Sequence, residues 1–252
     1  MGRSLLVVAA IGLGAVTAAQ EKPLPAQQSF FEATRANLER SQSRQSAYAY
    51  RERRGELHTN PFGRLGSGTG TEEYDVTPLA GGGTSRTLVA RDGKPVKGET
   101  TTSRPRTRTS KKSAVTDTAE ALDLAIDRRE RLNGRDVIVI TFSPKAGARP
   151  ETREGKLAHN FRGNIFVDEA GAEVVRVEAT AIDDLSYGLG VVARVNKGAT
   201  VTLVREPVDG DTWLPTSIRF SGEGRAILFR KLRIDHVIEW LNYRRATAAK
   251  AD

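Results

Sequence analysis

Glu178, Asp183 and Asp184, three carboxylates on one alternating stretch, are the residues whose types and spacing come nearest to acid–base chemistry. On an extended strand Glu178 and Asp184 share a face and Asp183 takes the other, which sets the first two ~20 Å apart. Two carboxylates flanking a glycosidic bond need about 5–10 Å, so the spacing describes a solvated strand face with an acidic end. The histidines are His58, His159 and His236, and no two are close enough in sequence to chelate a metal from one element. His236 is in phase with Leu232, Ile234, Ile238 and Trp240, the setting of a core or cavity-rim imidazole. Cysteine is absent, which removes a thiolate nucleophile and a disulfide framework. Gly-x-Ser-x-Gly, a Gly-Lys-Ser/Thr phosphate loop and His-Glu-x-x-His are also missing. The residues therefore predict no catalytic site, no metal and no cofactor, and a protein that is not an enzyme.

The elements that would position any site follow from periodicity. Arg3, the apolar run Leu5 to Val16 and Thr17-Ala18-Ala19 have the three parts of a secretory signal, so residues 1–19 are expected to be cleaved. An apolar run of this length is too short to span a bilayer, and without cysteine no lipid anchor is expected. Residues 20–246 are expected to form one soluble, monomeric periplasmic domain, and residues 247–252 a disordered tail. The net charge is +8. Its dense part, Lys94 to Lys112, sets Arg104, Arg106, Arg108, Lys111 and Lys112 among Ser and Thr without aromatics to stack bases. That composition predicts a solvated loop over 94–112 and argues against nucleic acid. An anionic envelope polymer or a membrane surface is the partner such a loop could meet outside the cytoplasm.

Gln27 to Arg44 carries Phe30, Phe31, Thr34 and Leu38 at helical spacing, with Ser29 and Glu32 placed as a capping box. A second, shorter helix is expected over about Thr116 to Ile126, on Asp117 with Glu120. Strands are expected over 46–59, 72–77, 85–91, 127–132 and 135–143. From Lys156 to Arg244 alternation is nearly continuous and predicts strands at 156–168, 173–185, 190–196, 200–206, 212–221 and 225–244. Asp92-Gly93, Asn133-Gly134 and Asp209-Gly210 are the hairpin signals between them. A terminal strand that long must curl or break, which favours a sheet coiled around its own apolar face. One face per strand supplies Phe161, Ile165 and Val167; Val175, Val177, Ala179 and Ala181; Val201 and Leu203; Ile218 and Phe220; and Leu228, Leu232, Ile234 and Ile238. Two short helices cover only part of so broad an apolar face, and the remainder is either a cavity for an apolar ligand or a packed core.

Phe161-Arg162-Gly163-Asn164-Ile165-Phe166-Val167-Asp168, the turn at 169–172 and Val174-Val175-Arg176-Val177-Glu178 resemble the pattern of the periplasmic outer-membrane lipoprotein-sorting family, the Lol-type carriers. Trp213-Leu214-Pro215 after an Asp-Gly turn is similar to the same family. The resemblance covers roughly residues 134–244. It implies a mainly β fold: one strongly curved antiparallel sheet, an unclosed half-barrel, with the N-terminal and second helices covering its concave face. It also implies a carrier that binds a lipid or acylated lipoprotein without cofactor or chemistry. The basic 94–112 loop and the Gly-rich segment at 66–83 depart from that pattern, and no lid arginine of the family is identified in this chain. On this reading the ligand lies against Phe30, Phe31, Leu38, Phe161, Ile165, Val175, Val177, Val201, Leu203, Ile218, Leu228, Leu232 and Ile234. The alternative is an envelope protein-interaction or sensor module on the same scaffold without a lipid.

Overall fold

Alternating strands become hairpins where a turn supplies the right backbone sign. Asp92-Gly93 takes φ of 51° and 72°, and Asn133-Gly134 takes 50° and 80°. Positive φ at both positions gives the twist that matches paired strands, and each pair closes the hairpin its residues predict. The computed structural model describes residues 22–56, 70–80, 82–103, 112–187, 193–226 and 230–246. The export signal, residues 104–111 of the basic run and the 247–252 tail lie outside them.

The chain order is α1 (Gln27–Gln45), β1 (Tyr48–Glu56), β2 (Gly70–Pro78), β3 (Thr84–Arg91), β4 (Lys94–Pro95), β5 (Thr100–Ser103), α2 (Ala114–Glu120), β6 (Leu122–Leu132) and β7 (Arg135–Pro144). There follow α3 (Arg153–Ala158), β8 (Phe161–Asp168), β9 (Glu173–Ala181), β10 (Leu185–Tyr187), β11 (Ala193–Val195), β12 (Thr200–Asp209), β13 (Thr212–Ala226) and β14 (Arg230–Arg245). All described strands join one antiparallel sheet ordered β4-β3-β2-β1-β14-β13-β12-β9-β8-β7-β6, with β5 on β3 and the β10–β11 hairpin attached through β13. β1 lies against β14, so the first and last strands meet inside the sheet. β6 ends one side and β4 with β5 the other, so the sheet curves into a half-barrel without closing. Gly163 marks a close approach of β8 to β9. A Cβ there would sit 1.9 Å from the Glu178 carbonyl oxygen across the ladder, an approach only glycine permits.

Several boundaries differ from the sequence expectation, each for a local reason. Ser29 does not cap α1: the N-cap is Ala26, and the Ser29 hydroxyl donates to the Ala26 carbonyl. The second helix starts earlier and ends at Glu120, because the Ser113 side chain accepts from Thr116 N–H. Leu122, Leu124 and Ile126 pair with Pro144, Phe142 and Ile140 instead of continuing that helix. The doubly apolar β7 needs an apolar neighbour on each side, and that demand outweighs a weak helical period. Lys156 to Ala158, expected as strand, forms the end of α3. Its N-cap Thr152 accepts from Gly155 N–H and joins the buried Asp117 carboxylate, which also accepts from Glu151 and Thr152 N–H. The basic run is not all loop, since Lys94–Pro95 and Thr100–Ser103 both pair with β3. Residues 225–226 close β13 rather than open β14.

At the β6 edge, Arg129 donates to both Glu169 carboxylate oxygens and to the Lys22 and Pro23 carbonyls, and Lys22 Nζ lies 3.0 Å from Glu169. The segment before α1 is thereby tied along the edge strand, which keeps that edge from pairing with another chain. Hydrogen bonds from Arg129, reinforced by Lys22 and opposed by desolvation, hold the Glu169 carboxyl at about 2. A depressed carboxyl stabilises the fold above its unfolded value near 4.5 and loses that contribution as pH falls through about 2. Glu169→Gln should therefore be less stable than the parent at pH 6. The difference should shrink between pH 4.5 and 2, as read by urea unfolding at each pH. A constant difference across that window would show that the ion pair is not its source.

Candidate functional site

Direct cross-strand partners in an antiparallel sheet point to the same face, so the register alone assembles a surface. One row runs Ile126, Ile140, Ile165, Val177, Leu203, Ile218 and Ile238 across β6, β7, β8, β9, β12, β13 and β14. The row beside it runs Leu124, Phe142, Gly163, Ala179, Val201, Phe220 and His236. At about 4.8 Å per strand, either row spans roughly 29 Å along the sheet.

Helices and the β10–β11 hairpin cover the two flanks of this concave face. Phe30 of α1 is buried with Ile138, Ile140, Val167, Ala172 and Val174, and Phe31 and Leu38 pack beside it. Asn37 of α1 donates to the Gly171 and Ala172 carbonyls, and Glu39 accepts from Ser113 and Thr116 at α2. The other flank buries Leu122, Phe142, Phe161, Ala181, Leu185, Val195 and Ala199, with Ile165, Val177, Val201, Phe220 and Ile234 half-buried against them. Leu203, Ile218 and Ile238 are likewise half-buried.

Of the residues expected against a ligand, Phe30, Phe31, Leu38, Phe161, Ile165, Val177, Val201 and Ile234 join these two clusters on one face. Leu203 and Ile218 continue it by register. Val175 does not. Val167 pairs with Val174 and Phe166 with Arg176, so Val175 is the extra residue of a bulge. It packs on the opposite face with Val137, Val139, Phe166 and Trp213. Leu228 and the Leu232 side chain lie outside the described residues.

The groups that might have carried chemistry are otherwise engaged. Glu178 pairs with Arg176, while Asp184 accepts from Lys197 N–H and pairs with Arg194. His159 Nε2 meets the Lys145 carbonyl, and burial pushes the half-buried His236 below its ordinary range. His58 lies outside the described residues. No cluster of three metal-ligating side chains occurs among the described residues. Glu173 and Arg205 are both buried, 3.8 Å apart. Arg205 donates to the Val174 and Trp213 carbonyls. Burial raises Glu173 and lowers Arg205, and their mutual attraction opposes both shifts.

Beyond Ile238 the concave face changes character. Its cross-strand partner is Arg54 of β1, followed by Glu72 of β2, and Trp240 leads likewise to Glu52 and Tyr74. Glu52 is buried, and its Oε1 accepts from Arg54 Nε and from an Arg86 terminal nitrogen, each at 2.5 Å. The Arg86 guanidinium lies 3.8 Å above the Tyr74 ring. The sequence reading did not single out this polar end. The signal was present in β1, where Glu52 occupies the same alternation phase as Tyr50.

No family model matches the chain, and no curated protein matches it in sequence. Solved structures do resemble it. An outer-membrane lipoprotein-sorting protein domain from Vibrio parahaemolyticus is 12% identical, covering 87% of this chain and 94% of its own, with a TM-score of 0.39. A LolA superfamily protein from Nitrosomonas europaea is 9% identical, covering 90% and 96%, also at 0.39. A DUF1329 family protein from Desulfovibrio piger is 12% identical, covering 87% and 94%, at 0.37.

Proposed function

We propose that this chain is an exported, non-enzymatic binding protein of the bacterial periplasm. It holds an acyl chain of a lipid or lipoprotein against the concave face of the half-barrel, in the service of outer-membrane lipoprotein sorting. The observation that carries the reading is the half-buried apolar row Val177, Leu203, Ile218 and Ile238, continuous in register across β9, β12, β13 and β14. Such a strip is the surface an acyl chain needs, at about 0.8 kcal/mol for each methylene removed from water. Among the described residues no helix is long and apolar enough to cross a membrane. An N-terminal export signal fits a periplasmic carrier.

Native mass spectrometry of the protein purified from its own cell envelope, followed by organic extraction, tests the reading. A stoichiometric acyl-containing adduct is the expected result. A clean apo mass would overturn it and leave the concave face as a packed core or a protein-docking surface.

A further inference from the structure

The concave face is not uniformly apolar, and the way it changes carries information about its ligand. Moving from Val177 through Leu203 and Ile218 to Ile238 takes three strand steps, roughly 14 Å. That is about half the hydrocarbon thickness of a bilayer, the reach of one acyl chain. The next residue in the row is Arg54, and Arg86 stands beside it across the shared Glu52 carboxylate.

Two guanidinium groups around one carboxylate leave the trio with one net positive charge. Glu52 uses only a single nitrogen of each guanidinium, Arg54 Nε and an Arg86 terminal nitrogen. Arg86 Nε is buried and has no hydrogen-bond partner among the described residues. Both side chains keep some exposure, 39% for Arg54 and 23% for Arg86, so an anionic acceptor can reach their outer nitrogens and neutralise the excess charge. Tyr74 fixes the Arg86 plane from one side, so the guanidinium is oriented in advance. The nearby Glu72 does not cancel the excess, since Arg91 and the Tyr74 hydroxyl both engage it. Glu56, the other acid on this face, is the cross-strand partner of His236, one row away.

We infer that Arg54 and Arg86 form a headgroup subsite for an anionic amphiphile, whose carboxylate or phosphate sits at the arginine pair while its chain runs along Ile238, Ile218, Leu203 and Val177. This rests on the carrier reading above and adds to it an orientation and a charge selectivity. The apolar strip binds the chain, and the arginine pair decides which end leads and which headgroups are accepted.

The test compares cis-parinarate with its methyl ester by fluorescence titration of the purified protein. The two probes share a chain and differ by one negative charge. The parent is expected to bind the acid at least about tenfold more tightly than the ester. In Arg54→Gln/Arg86→Gln the ratio should fall to within about twofold, with ester affinity unchanged. Arg51→Gln/Arg53→Gln removes the same two charges from the opposite face, where Arg51 pairs with Asp75 and Glu73 and Arg53 with Glu239, and should keep the preference. Equal affinity of the parent for acid and ester overturns the headgroup site while leaving the carrier reading intact. Loss of the preference in Arg51→Gln/Arg53→Gln to the same extent overturns it in favour of the general field of a basic protein. Saturable binding of inorganic phosphate that does not compete with parinarate overturns it in favour of a free-anion site. Binding of neither probe overturns this inference and the carrier reading together. The acid-to-ester ratio in the parent needs no variant, so the test survives a double variant that fails to fold.

Discussion

Leu203→Asp should strip the acyl ligand from the protein without unfolding it. Leu203 lies between Val177 and Ile218 in the concave row and is only half-buried, so a carboxylate there stays hydrated in the empty protein. With a chain bound, the same carboxylate would be desolvated beside methylenes without a partner, which costs several kcal/mol for a charge. The expected loss in affinity is at least about 100-fold, or ~2.7 kcal/mol. It should appear as disappearance of the adduct in native mass spectra, with an unchanged circular dichroism spectrum. Thr202→Asp is the control. Thr202 pairs with Glu178 and Arg219 on the other face, and the adduct should persist. Equal adduct occupancy in Leu203→Asp and the parent would sink the concave row as the binding surface.

Gly163→Ala should strongly destabilise the sheet. Its Cβ would lie 1.9 Å from the Glu178 carbonyl oxygen and 2.9 Å from Ala179 Cα. Both obstacles are backbone, so no side-chain rotation relieves them. β8 and β9 must separate at the centre of their ladder, where Gly163 pairs with Ala179 between Ile165–Val177 and Phe161–Ala181. The expected cost is at least about 3 kcal/mol, which for a domain of this size lowers Tm by roughly 6–12 °C. Thermal unfolding of the variant checks it. A shift under about 2 °C would mean the two strands are not held at this close approach.

Much of the β architecture is legible in the residues because a strand with one dry face writes its period directly into the sequence. Residues 135–143 and 200–206 were placed within a few residues of β7 and β12, and the turns at Asp92-Gly93 and Asn133-Gly134 were fixed by the need for positive φ. Short helices were harder. α3 depends on a Thr152 cap and on Asp117 arriving from 35 residues earlier in the chain, and a long-range hydrogen bond leaves no local period. The ends of α2 and β6 depart from the sequence expectation for a related reason. Leu122 to Ile126 fits a helical face and a strand face equally well, and only the presence of β7 beside it chooses.

The amino-acid sequence by itself determined that this chain is dominated by antiparallel strands, that it carries no Gly-x-Ser-x-Gly, Gly-Lys-Ser/Thr or His-Glu-x-x-His motif, and that its strands carry more apolar surface on one side than two short helices can cover. Composition and period are properties of the chain alone, so they survive without coordinates. Which strands are neighbours, and in what register, only the tertiary structure decided. β1 meets β14 and β9 meets β12, pairings between segments far apart in sequence, and these draw Val177, Leu203, Ile218 and Ile238 into one row with Arg54. The bulge that sends Val175 to the opposite face and the shared Glu52 that brings Arg54 to Arg86 have the same origin. A one-residue slip exchanges the faces of a strand, so the surface a ligand meets is settled by pairing.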